Sequence, residues 1–467
     1  MRTFHRASRI DLPADEVGAW HFRPGAIHRL IPPWEKIEVL EEAAPLVDGA
    51  RARIRVQKGP FSTTLVAVHE EVDPPRQFVD RQESGPFGAW RHTHRFLADG
   101  DDRAMLEDSI QYLPPLGPLG GLVNGTLQRE LARQFAFRHA RTRADLMRHA
   151  EMSARFGDRP LRIGVTGAGG LVGRQVCAFL STGGHSVVRF VRSEPRRADE
   201  RRWNPSDPDA GLSPDAVADL DAVIHLAGES IAAGRWNAER KRAILESRTL
   251  GTSTVARAMA RAARPGQALL SASAIGFYGN RGDESVDERS GAGDGFLPEV
   301  VRAWEDATVS ARNAGVRTVH LRLGVVLAAA GGALAAMLPA FRAGAGGPIG
   351  SGQQGMSWVS LDDVLGATLL ALRDESISGA VNVVAPNPLP QRGFAKVLGR
   401  VLRRPAFAPL PAFAVRAMFG EMGERLLLEG AFVRAGVLER VGFRFEHPSL
   451  EQALRLELGH LHEASES

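Results

Sequence analysis

The stretch that decides the fold is LRIGVTGAGGLVG, residues 161–173. An apolar strand pattern over LRIGVT leads into a glycine-rich turn, and an apolar helical pattern begins directly after it. In a turn of this kind Gly167 allows the sharp bend, Gly170 lets a pyrophosphate approach the backbone, and Gly173 lets the helix pack on the strand. We therefore predict a dinucleotide site whose phosphates bind backbone N–H groups at the helix start, including those of Leu171 and Val172. The alternative is a tight turn with a purely structural role.

Strands and helices alternate along the chain beyond this turn. Strand patterns cover 186–191, 221–227, 269–273 and 316–323, and helical periodicity covers 171–180, 238–263 and 298–313. Such alternation predicts an α/β fold with a parallel, doubly wound sheet and right-handed crossovers. Beyond it, 386–456 has the pattern of short helices.

The chain that precedes the turn has a different pattern. From residue 4 to about residue 110 apolar and polar residues alternate, and proline and glycine pairs interrupt them, as in an antiparallel sheet. A helical pattern with Leu127, Leu131 and Phe135 on one face follows. We expect a curved sheet closed by a helix that ends near His149.

Composition excludes several classes of protein. A single cysteine, Cys177, rules out a disulfide scaffold and Cys-based metal clusters, and a thiol-poor chain suits a reducing compartment, so we expect a cytoplasmic protein. The 58 Lys+Arg and 54 Asp+Glu leave a net charge of only +4, and the arginines are spread evenly among acids. We therefore expect no nucleic-acid partner.

Nothing in the chain predicts a membrane segment. The first eleven residues lack the apolar run of a secretory signal. Residues 323–341 are uncharged, but Gly331, Gly332 and Pro339 interrupt them, which favours a strand, a loop and a helix over one spanning helix.

The end of the second predicted strand bears on the choice of cofactor. Arg192 and Ser193 lie about 20 residues beyond the loop, where a carboxylate would select NAD by binding its ribose 2′-hydroxyl. An arginine there accommodates a 2′-phosphate, so NADP(H) is favoured over NAD(H). The alternative is that Arg189 and Arg192 are solvated and that Glu194 contacts the ribose.

Several motifs resemble known families. VIHLAGESI (223–231), SASAIGFYG (271–279) and LRLGVVL (321–327) resemble the extended short-chain dehydrogenase/reductases. Arg235-Trp236, Ser247-Arg248, Trp304-Glu305, GSGQQGMSWV (350–359) and GAVNVVAP (379–386) resemble the atypical NAD(P)-dependent sugar-nucleotide epimerase/dehydratase-like family. AIHRLIPPW (26–34) and GPFGAWRHTHRF (85–96) resemble a cyclase-type or START-like (SRPBCC) domain of helix-grip fold.

The resemblance implies a domain plan and a set of cofactor contacts. It implies a START-like ligand-binding domain at 1–150, a linker at 151–160, a Rossmann-type NAD(P) domain at 161–395 and a small C-terminal domain at 396–467. The implied cofactor contacts are Gly167, Gly170, Leu171, Val172, Gly173, Arg192, Ser193, Leu226, Ala227 and Gly228.

The implied catalytic residues are incomplete. Short-chain dehydrogenases use a Tyr-x-x-x-Lys pair, and neither Tyr112 nor Tyr278 is followed by a lysine four residues later. Ser273 matches the serine that orients substrate, and Tyr278 is the remaining candidate proton donor. Lys241 or Arg248 could supply the missing positive charge, or both could simply lie on a solvated helix face. By the same resemblance, Gln353, Trp358 and Asp362 close the substrate pocket.

Two functions stay open. The first is an NADP(H)-dependent oxidoreductase or epimerase that acts on a small carbonyl or hydroxyl substrate. The second is a non-catalytic NADP(H)-binding sensor, which the missing Tyr-x-x-x-Lys pair favours.

The first domain has one face of chemical interest. Trp90, His92, His94 and Phe96 share one face of a predicted strand and could line a cavity for an apolar ligand. His-x-His could also bind a metal, but no third ligand is identifiable in the sequence, so we predict no metal site.

Overall fold

The chain divides into two compact units. The computed structural model describes residues 1–115 and 120–461, with 120–123 as backbone only, so the end of the predicted C-terminal domain, 462–467, lies outside the described residues. The first unit comprises Met1–Asp158, Ala178–Gly184 and Arg455–Ser467, and the second comprises Arg159–Cys177 and His185–Leu454.

The first unit is built on an antiparallel sheet in the order β1-β7-β6-β5-β4-β3-β2. The strands are β1 (Arg2–Ile10), β2 (Lys36–Glu41), β3 (Arg51–Lys58), β4 (Phe61–Asp73), β5 (Gln77–Ser84), β6 (Ala89–Ala98) and β7 (Ala104–Leu113). The helices are α1 (Ala14–Phe22), α2 (Ala26–Leu30) and α3 (Gly120–Phe156). An alternating sheet followed by a long helix confirms the predicted order of elements, whereas α1 and α2 were not predicted.

The long helix packs against the sheet through an apolar cluster. Phe135 of α3 contacts Phe4 of β1, with 5.3 Å between ring centroids, and both belong to a buried cluster with Ile110 of β7. The helix runs seven residues beyond the predicted end near His149. Glu151 accounts for part of this extension, because it pairs with Arg148 one turn before it and Arg155 one turn after it.

The second unit is built on a parallel sheet in the order β10-β9-β8-β11-β12-β14-β18. Its strands are β8 (Arg162–Thr166), β9 (Ser186–Val191), β10 (Glu200–Arg202), β11 (Ala222–His225), β12 (Ala268–Ala274), β14 (Arg317–Leu323) and β18 (Gly379–Val383). Short ladders pair β13 (Ser285–Val286) with β20 (Phe432–Val433), β15 (Val325–Leu327) with β17 (Trp358–Ser360), and β16 (Gly355–Met356) with β19 (Leu389–Pro390). This sheet confirms the predicted Rossmann-like α/β fold.

Eleven α-helices, one 3₁₀-helix (Ile275–Tyr278) and one π-helix (Glu424–Leu428) follow β8 within the described chain. The α-helices are α4 (Leu171–Thr182), α5 (Asp215–Ala218), α6 (Ala238–Arg261), α7 (Phe296–Asp306), α8 (Val309–Asn313), α9 (Gly332–Arg342), α10 (Leu361–Arg373), α11 (Gln391–Leu402), α12 (Ala412–Gly423), α13 (Gly436–Arg440) and α14 (Leu450–Leu458). The helix predicted over 298–313 is in fact two, α7 and α8. Thr308 lies at the break, where its hydroxyl donates to the Glu305 carbonyl at 2.7 Å.

The uncharged stretch 323–341 covers the end of β14, all of β15 and most of α9. No helix in the described ranges has both the length and the apolar character needed to cross a membrane.

The glycine-rich turn gives a first test of the fold. A Cβ on Gly173 would lie 2.1 Å from the Gly167 carbonyl oxygen, whereas a Cβ on Gly169 would meet nothing within 4 Å. We expect Gly173→Ala to lower the free energy of unfolding by about 1–3 kcal/mol, the usual cost of overpacking, and Gly169→Ala to leave it nearly unchanged. Urea denaturation of the two variants measures both values, and equal losses would show that the helix does not pack against the turn as described.

Candidate cofactor and substrate site

The strand order of the second unit reverses between β8 and β11. The chain proceeds outward from β8 through β9 to β10, then returns to place β11 on the other side of β8. At the carboxyl ends of these two strands, the Thr166 hydroxyl bonds His225 Nδ1 at 2.8 Å, and the Leu226 N–H donates to the Thr166 carbonyl at 3.3 Å. Doubly wound sheets bind their ligands in the crevice at such a switch point.

The turn between β8 and α4 borders this crevice. Gly167 has a φ of +69°, and a Cβ there would lie 2.8 Å from the carbonyl carbon of Leu226 and 2.9 Å from the nitrogen of Ala227. Only glycine fits this close approach without strain. The segment Leu226–Gly228 therefore lies directly against the turn.

The turn also presents hydrogen-bond donors. The Gly170 N–H donates to the Gly167 carbonyl at 2.9 Å, which closes the turn immediately before α4. The N–H groups of Leu171 and Val172 lie in the first turn of α4, where a helix has no carbonyl of its own to offer them. Positive helix ends of this kind bind phosphate, so the local structure fits the pyrophosphate of a dinucleotide.

A group of charged residues follows β9. Arg189 pairs with Asp199, and Glu194 pairs with Arg202. Arg192 is exposed, and no ion pair in residues 1–115 and 120–461 involves it. The guanidinium of Arg192 is thus available to a ligand, while the carboxylate of Glu194 is already engaged.

A buried polar row crosses three neighbouring strands of the sheet. Ser273 of β12 pairs in register with Arg322 of β14, and Arg322 pairs with Asn382 of β18. Glu305 of α7 lies over this row. It accepts hydrogen bonds from the Ser273 hydroxyl at 2.6 Å and from Arg322 Nε and Nη2 at 2.8 Å each.

Tyr278 extends the same network. Its hydroxyl donates to Asn382 Oδ1 at 2.8 Å and accepts from Arg322 Nη1 at 3.1 Å. The structure therefore connects the two predicted catalytic residues, Ser273 and Tyr278, through Glu305 and Arg322. Ser273 is 2% exposed and Tyr278 is fully buried, so both hydroxyls bond within the protein and neither faces solvent.

The electrostatics of the network follow from its pairing. Burial raises the pKa of Glu305, but the hydrogen bonds from Arg322 and Ser273 outweigh it and hold that pKa below its ordinary value. Burial disfavours the charged guanidinium, yet Glu305 raises the pKa of Arg322 above its usual range. Burial raises the pKa of Tyr278, so its phenol stays protonated at neutral pH.

Sequence reasoning did not identify Arg322. The residue lies within LRLGVVL, a segment quoted only for its resemblance to other proteins. An arginine inside a strand that is otherwise apolar is a signal in itself, because such a charge needs a buried partner.

The two cations considered for the missing lysine differ in their surroundings. Lys241 Nζ lies 2.6 Å from a carboxylate oxygen of Glu421. Arg248 has no ion pair within the described residues, and its guanidinium lies 4.9 Å from the ring centroid of Trp304. A Cβ on Gly228 would be 3.7 Å from Arg248 Cζ, so this cation borders the crevice. Burial lowers the pKa of Arg248 to about 10, which leaves it charged at neutral pH.

The three residues expected to close the pocket have different environments. Trp358 is buried on β17, and Gln353 is exposed in the loop before β16. Asp362 Oδ2 of α10 lies 3.5 Å from His447 Nε2. Only Gln353 presents an exposed polar side chain.

Comparison with known proteins identifies the family of the chain. The sequence model of the "NAD dependent epimerase/dehydratase family" matches residues 163–384, and the sequence model of a "Domain of unknown function (DUF1731)" matches residues 410–456. The epimerase family protein MT2273 of Mycobacterium tuberculosis is 40% identical over 292 residues, which are 62% of this chain and 96% of that protein. The chain belongs to the epimerase family. A Bacillus subtilis member, YfhF, is 33% identical over 296 residues, 63% of this chain and 97% of its own.

Solved structures of the epimerase family resemble the chain as well. A nucleoside-diphosphate sugar epimerase from Corynebacterium glutamicum aligns with 99% of this chain and 91% of its own at 32% identity and a TM-score of 0.81. Human epimerase family protein SDR39U1, crystallised with NADPH, aligns with 64% of this chain and 100% of its own at 33% identity and a TM-score of 0.59. The family and the nucleotide-binding fold predicted from the motifs are thus confirmed, and the START-like identity of the first unit stays a prediction.

The buried ion pair of this family member supplies a second test. Glu305→Gln would leave the Arg322 guanidinium buried without its counter-charge, so we expect a loss of about 3–5 kcal/mol in the free energy of unfolding. Glu299→Gln, at an exposed position on the same helix, is the matched control and should cost far less.

The difference in the free energy of unfolding between the wild type and Glu305→Gln should also depend on pH. Because the folded-state pKa of Glu305 is depressed, the stabilisation is complete above the ordinary carboxyl pKa of about 4.3 and is lost as pH falls through the folded value. Urea denaturation between pH 3 and 8 measures it. A difference that did not shrink in acid would show that Glu305 is not held as an anion.

Proposed function

We propose that the chain binds NADP(H) in the crevice at the β8–β11 switch point. The observation that carries the choice of NADP(H) over NAD(H) is the exposed guanidinium of Arg192 at the end of β9, which has no ion pair within the described residues. A 2′-phosphate carries about two negative charges and would be the counter-charge of this arginine. The pairing of Glu194 with Arg202 argues against a carboxylate that reads an unphosphorylated ribose.

The remaining contacts of the cofactor follow from the turn. The N–H groups of Leu171 and Val172 would hold the pyrophosphate, and the exposed Ser193 would lie beside the adenosine ribose. The segment Leu226–Gly228, which lies against Gly167, would form the opposite wall. The solved human relative is described with NADPH and a Thermus thermophilus UDP-glucose 4-epimerase with NAD, which supports a nicotinamide cofactor in general.

We infer that the protein is an oxidoreductase or epimerase of a small carbonyl or hydroxyl compound. A bound nicotinamide supplies or accepts a hydride. Arg248 borders Gly228 and would supply positive charge at the crevice wall in place of the absent lysine, whereas Lys241 is paired with Glu421. Arg248 would favour the approach of a hydroxyl or an anionic group to the crevice wall.

Ser273 and Tyr278 are the candidates for orienting substrate and donating a proton. Because Glu305 accepts the Ser273 hydrogen bond, a substrate oxygen that reached Ser273 would have to replace Glu305 as its partner. Arg322 donates to Tyr278 and would stabilise negative charge that develops on the phenol oxygen when its proton leaves. Glu305 keeps Arg322 in place for both functions.

One observation favours the second candidate function, a non-catalytic sensor of NADP(H). Both candidate hydroxyls are buried and saturated with partners inside the protein. In this alternative the buried polar row of Ser273, Arg322 and Asn382 only stabilises the fold. The function of the protein then depends on whether NADP(H) occupies the crevice.

Cofactor titration tests the proposed preference. A charge-assisted hydrogen bond is worth about 1.5–3 kcal/mol, so Arg192→Ala should weaken NADPH binding roughly 10- to 150-fold and leave NADH binding nearly unchanged. Arg312→Ala, an exposed arginine on α8 at the amino end of β14, is the control and should change neither affinity. Equal affinity of the wild type for NADH and NADPH would contradict the assignment of Arg192.

Arg248→Ala in the same titration separates the two arginines. Because Arg248 borders Gly228 and not the end of β9, its loss should weaken NADPH and NADH binding by similar factors. Lys241→Ala is its control on the same helix. A loss confined to NADPH would place Arg248 at the 2′-phosphate and overturn its proposed role.

Turnover tests the catalytic residues. If Ser273 and Tyr278 act on substrate, Ser273→Ala and Tyr278→Phe should lower the rate of NADPH oxidation with a carbonyl panel by about 10²- to 10⁴-fold, with NADPH affinity unchanged. Stopped-flow absorbance at 340 nm measures the rate. Rates equal to wild type in both variants would move catalysis elsewhere, and NADPH binding without oxidation in the wild type would favour the sensor.

A further inference from the structure

The first unit buries a row of histidines and aspartates on one face of its sheet. His69 of β4 pairs in register with Asp80 of β5, and Asp80 pairs with His92 of β6. Two residues further along β6, His94 pairs with Asp108 of β7. The side chains of the histidines and of Asp108 are at most 7% exposed. Four adjacent strands therefore place five polar side chains next to one another in an apolar interior.

Asp108 fixes the orientation of both histidines on β6. Its Oδ1 lies 2.7 Å from His92 Nε2 and 2.9 Å from His94 Nδ1. Its other oxygen lies 2.7 Å from Nε2 of His139 on α3. Because Asp108 occupies Nε2 of His92 and Nδ1 of His94, the opposite nitrogen of each ring is the one left to bind a metal. At His94 an incoming ion would displace the proton that Nε2 shares with Asp80 across 3.1 Å.

Those opposite nitrogens converge on Asp80. His94 Nε2 lies 3.1 Å and His92 Nδ1 3.9 Å from Asp80 Oδ2. One ligand atom from each of Asp80, His92 and His94 lies within 4.8 Å of the other two. Two imidazole nitrogens and one carboxylate oxygen this close together supply the donor types and the number of protein ligands that a zinc-type site uses, with metal–ligand bonds of about 2.0–2.2 Å.

We propose that Asp80, His92 and His94 form a binding site for one divalent transition-metal ion. Two imidazoles and a carboxylate suit Zn²⁺, Co²⁺ or Fe²⁺. Asp108 is the positioning residue that orients both imidazole ligands, a support that metal-binding histidines characteristically have. His69 serves Asp80 in the same way, with its Nε2 2.9 Å from Asp80 Oδ1.

The three ligands differ in burial, and they leave room in the coordination shell of an ion. The Asp80 side chain is the most exposed of the three at 24%, compared with 4% for His92 and 7% for His94. Three protein ligands leave a fourth position for water or an exogenous ligand, which is the pattern of reactive metal sites. The sequence offered His92 and His94 but not Asp80, because strand register alone connects that residue with them.

Metal titration of the tag-free full-length chain after chelator treatment tests the proposal. The wild type should bind one equivalent of Zn²⁺ by calorimetry and one of Co²⁺ by its visible absorption. Asp80→Asn and His92→Gln should each weaken binding at least tenfold, and Asp108→Asn by about 10- to 100-fold. His5→Gln and Asp73→Asn, which alter more exposed positions of the same unit, should bind as the wild type does.

Two results would overturn the proposal. One is that the folded wild type takes up neither metal, and the other is that Asp80→Asn and His92→Gln bind the metal as tightly as the wild type does. Circular dichroism reports whether the variants fold. Should they unfold, X-ray absorption at the zinc edge of the wild type decides: two imidazole ligands and no sulfur support the site, and a sulfur ligand or the absence of imidazole excludes it.

Discussion

The contact between Gly173 and the Gly167 carbonyl is the constraint on which the nucleotide crevice depends. Because no Cβ intervenes, α4 begins against the end of β8, and its first N–H groups face the point where the strand order reverses. The same turn presses Gly167 against Leu226 and brings the segment after β11 into the crevice wall. The local chemistry of phosphate binding is therefore a consequence of backbone packing, and side chains are needed mainly to select among nucleotides.

The chemistry beyond the phosphate site departs from the common short-chain dehydrogenase pattern. The tyrosine and lysine of that pattern are absent, and the corresponding helix instead contributes Trp304 and Glu305. Glu305 stabilises a buried arginine between Ser273 and Tyr278, while Trp304 packs under the guanidinium of Arg248. One helix thus positions two arginines, one inside the protein and one beside the crevice. The proposed site would therefore rely on two arginines in place of a single lysine.

Local patterns made much of the second unit predictable. The strand at 186–191 and the start of α6 at Ala238 agree with the structure because hydrophobic periodicity and glycine turns are short-range signals. Contacts set by strand register could not be predicted in this way. Arg322 pairs with Ser273, and Asp80 pairs with His92, because two neighbouring strands align in one particular register, which the pattern of either strand alone does not give. The break between α7 and α8 also depends on a tertiary contact, since Thr308 bonds both the Glu305 carbonyl and His320 of β14.

The central claim is that the backbone turn and Arg192 together hold an NADP-type dinucleotide. A crystal structure of the full-length chain with NADPH tests it most directly. We expect pyrophosphate oxygens at about 2.7–3.2 Å from the N–H groups of Leu171 and Val172, and the 2′-phosphate against the guanidinium of Arg192. A pyrophosphate bound away from the start of α4, or a 2′-phosphate that Arg192 does not touch, would contradict it.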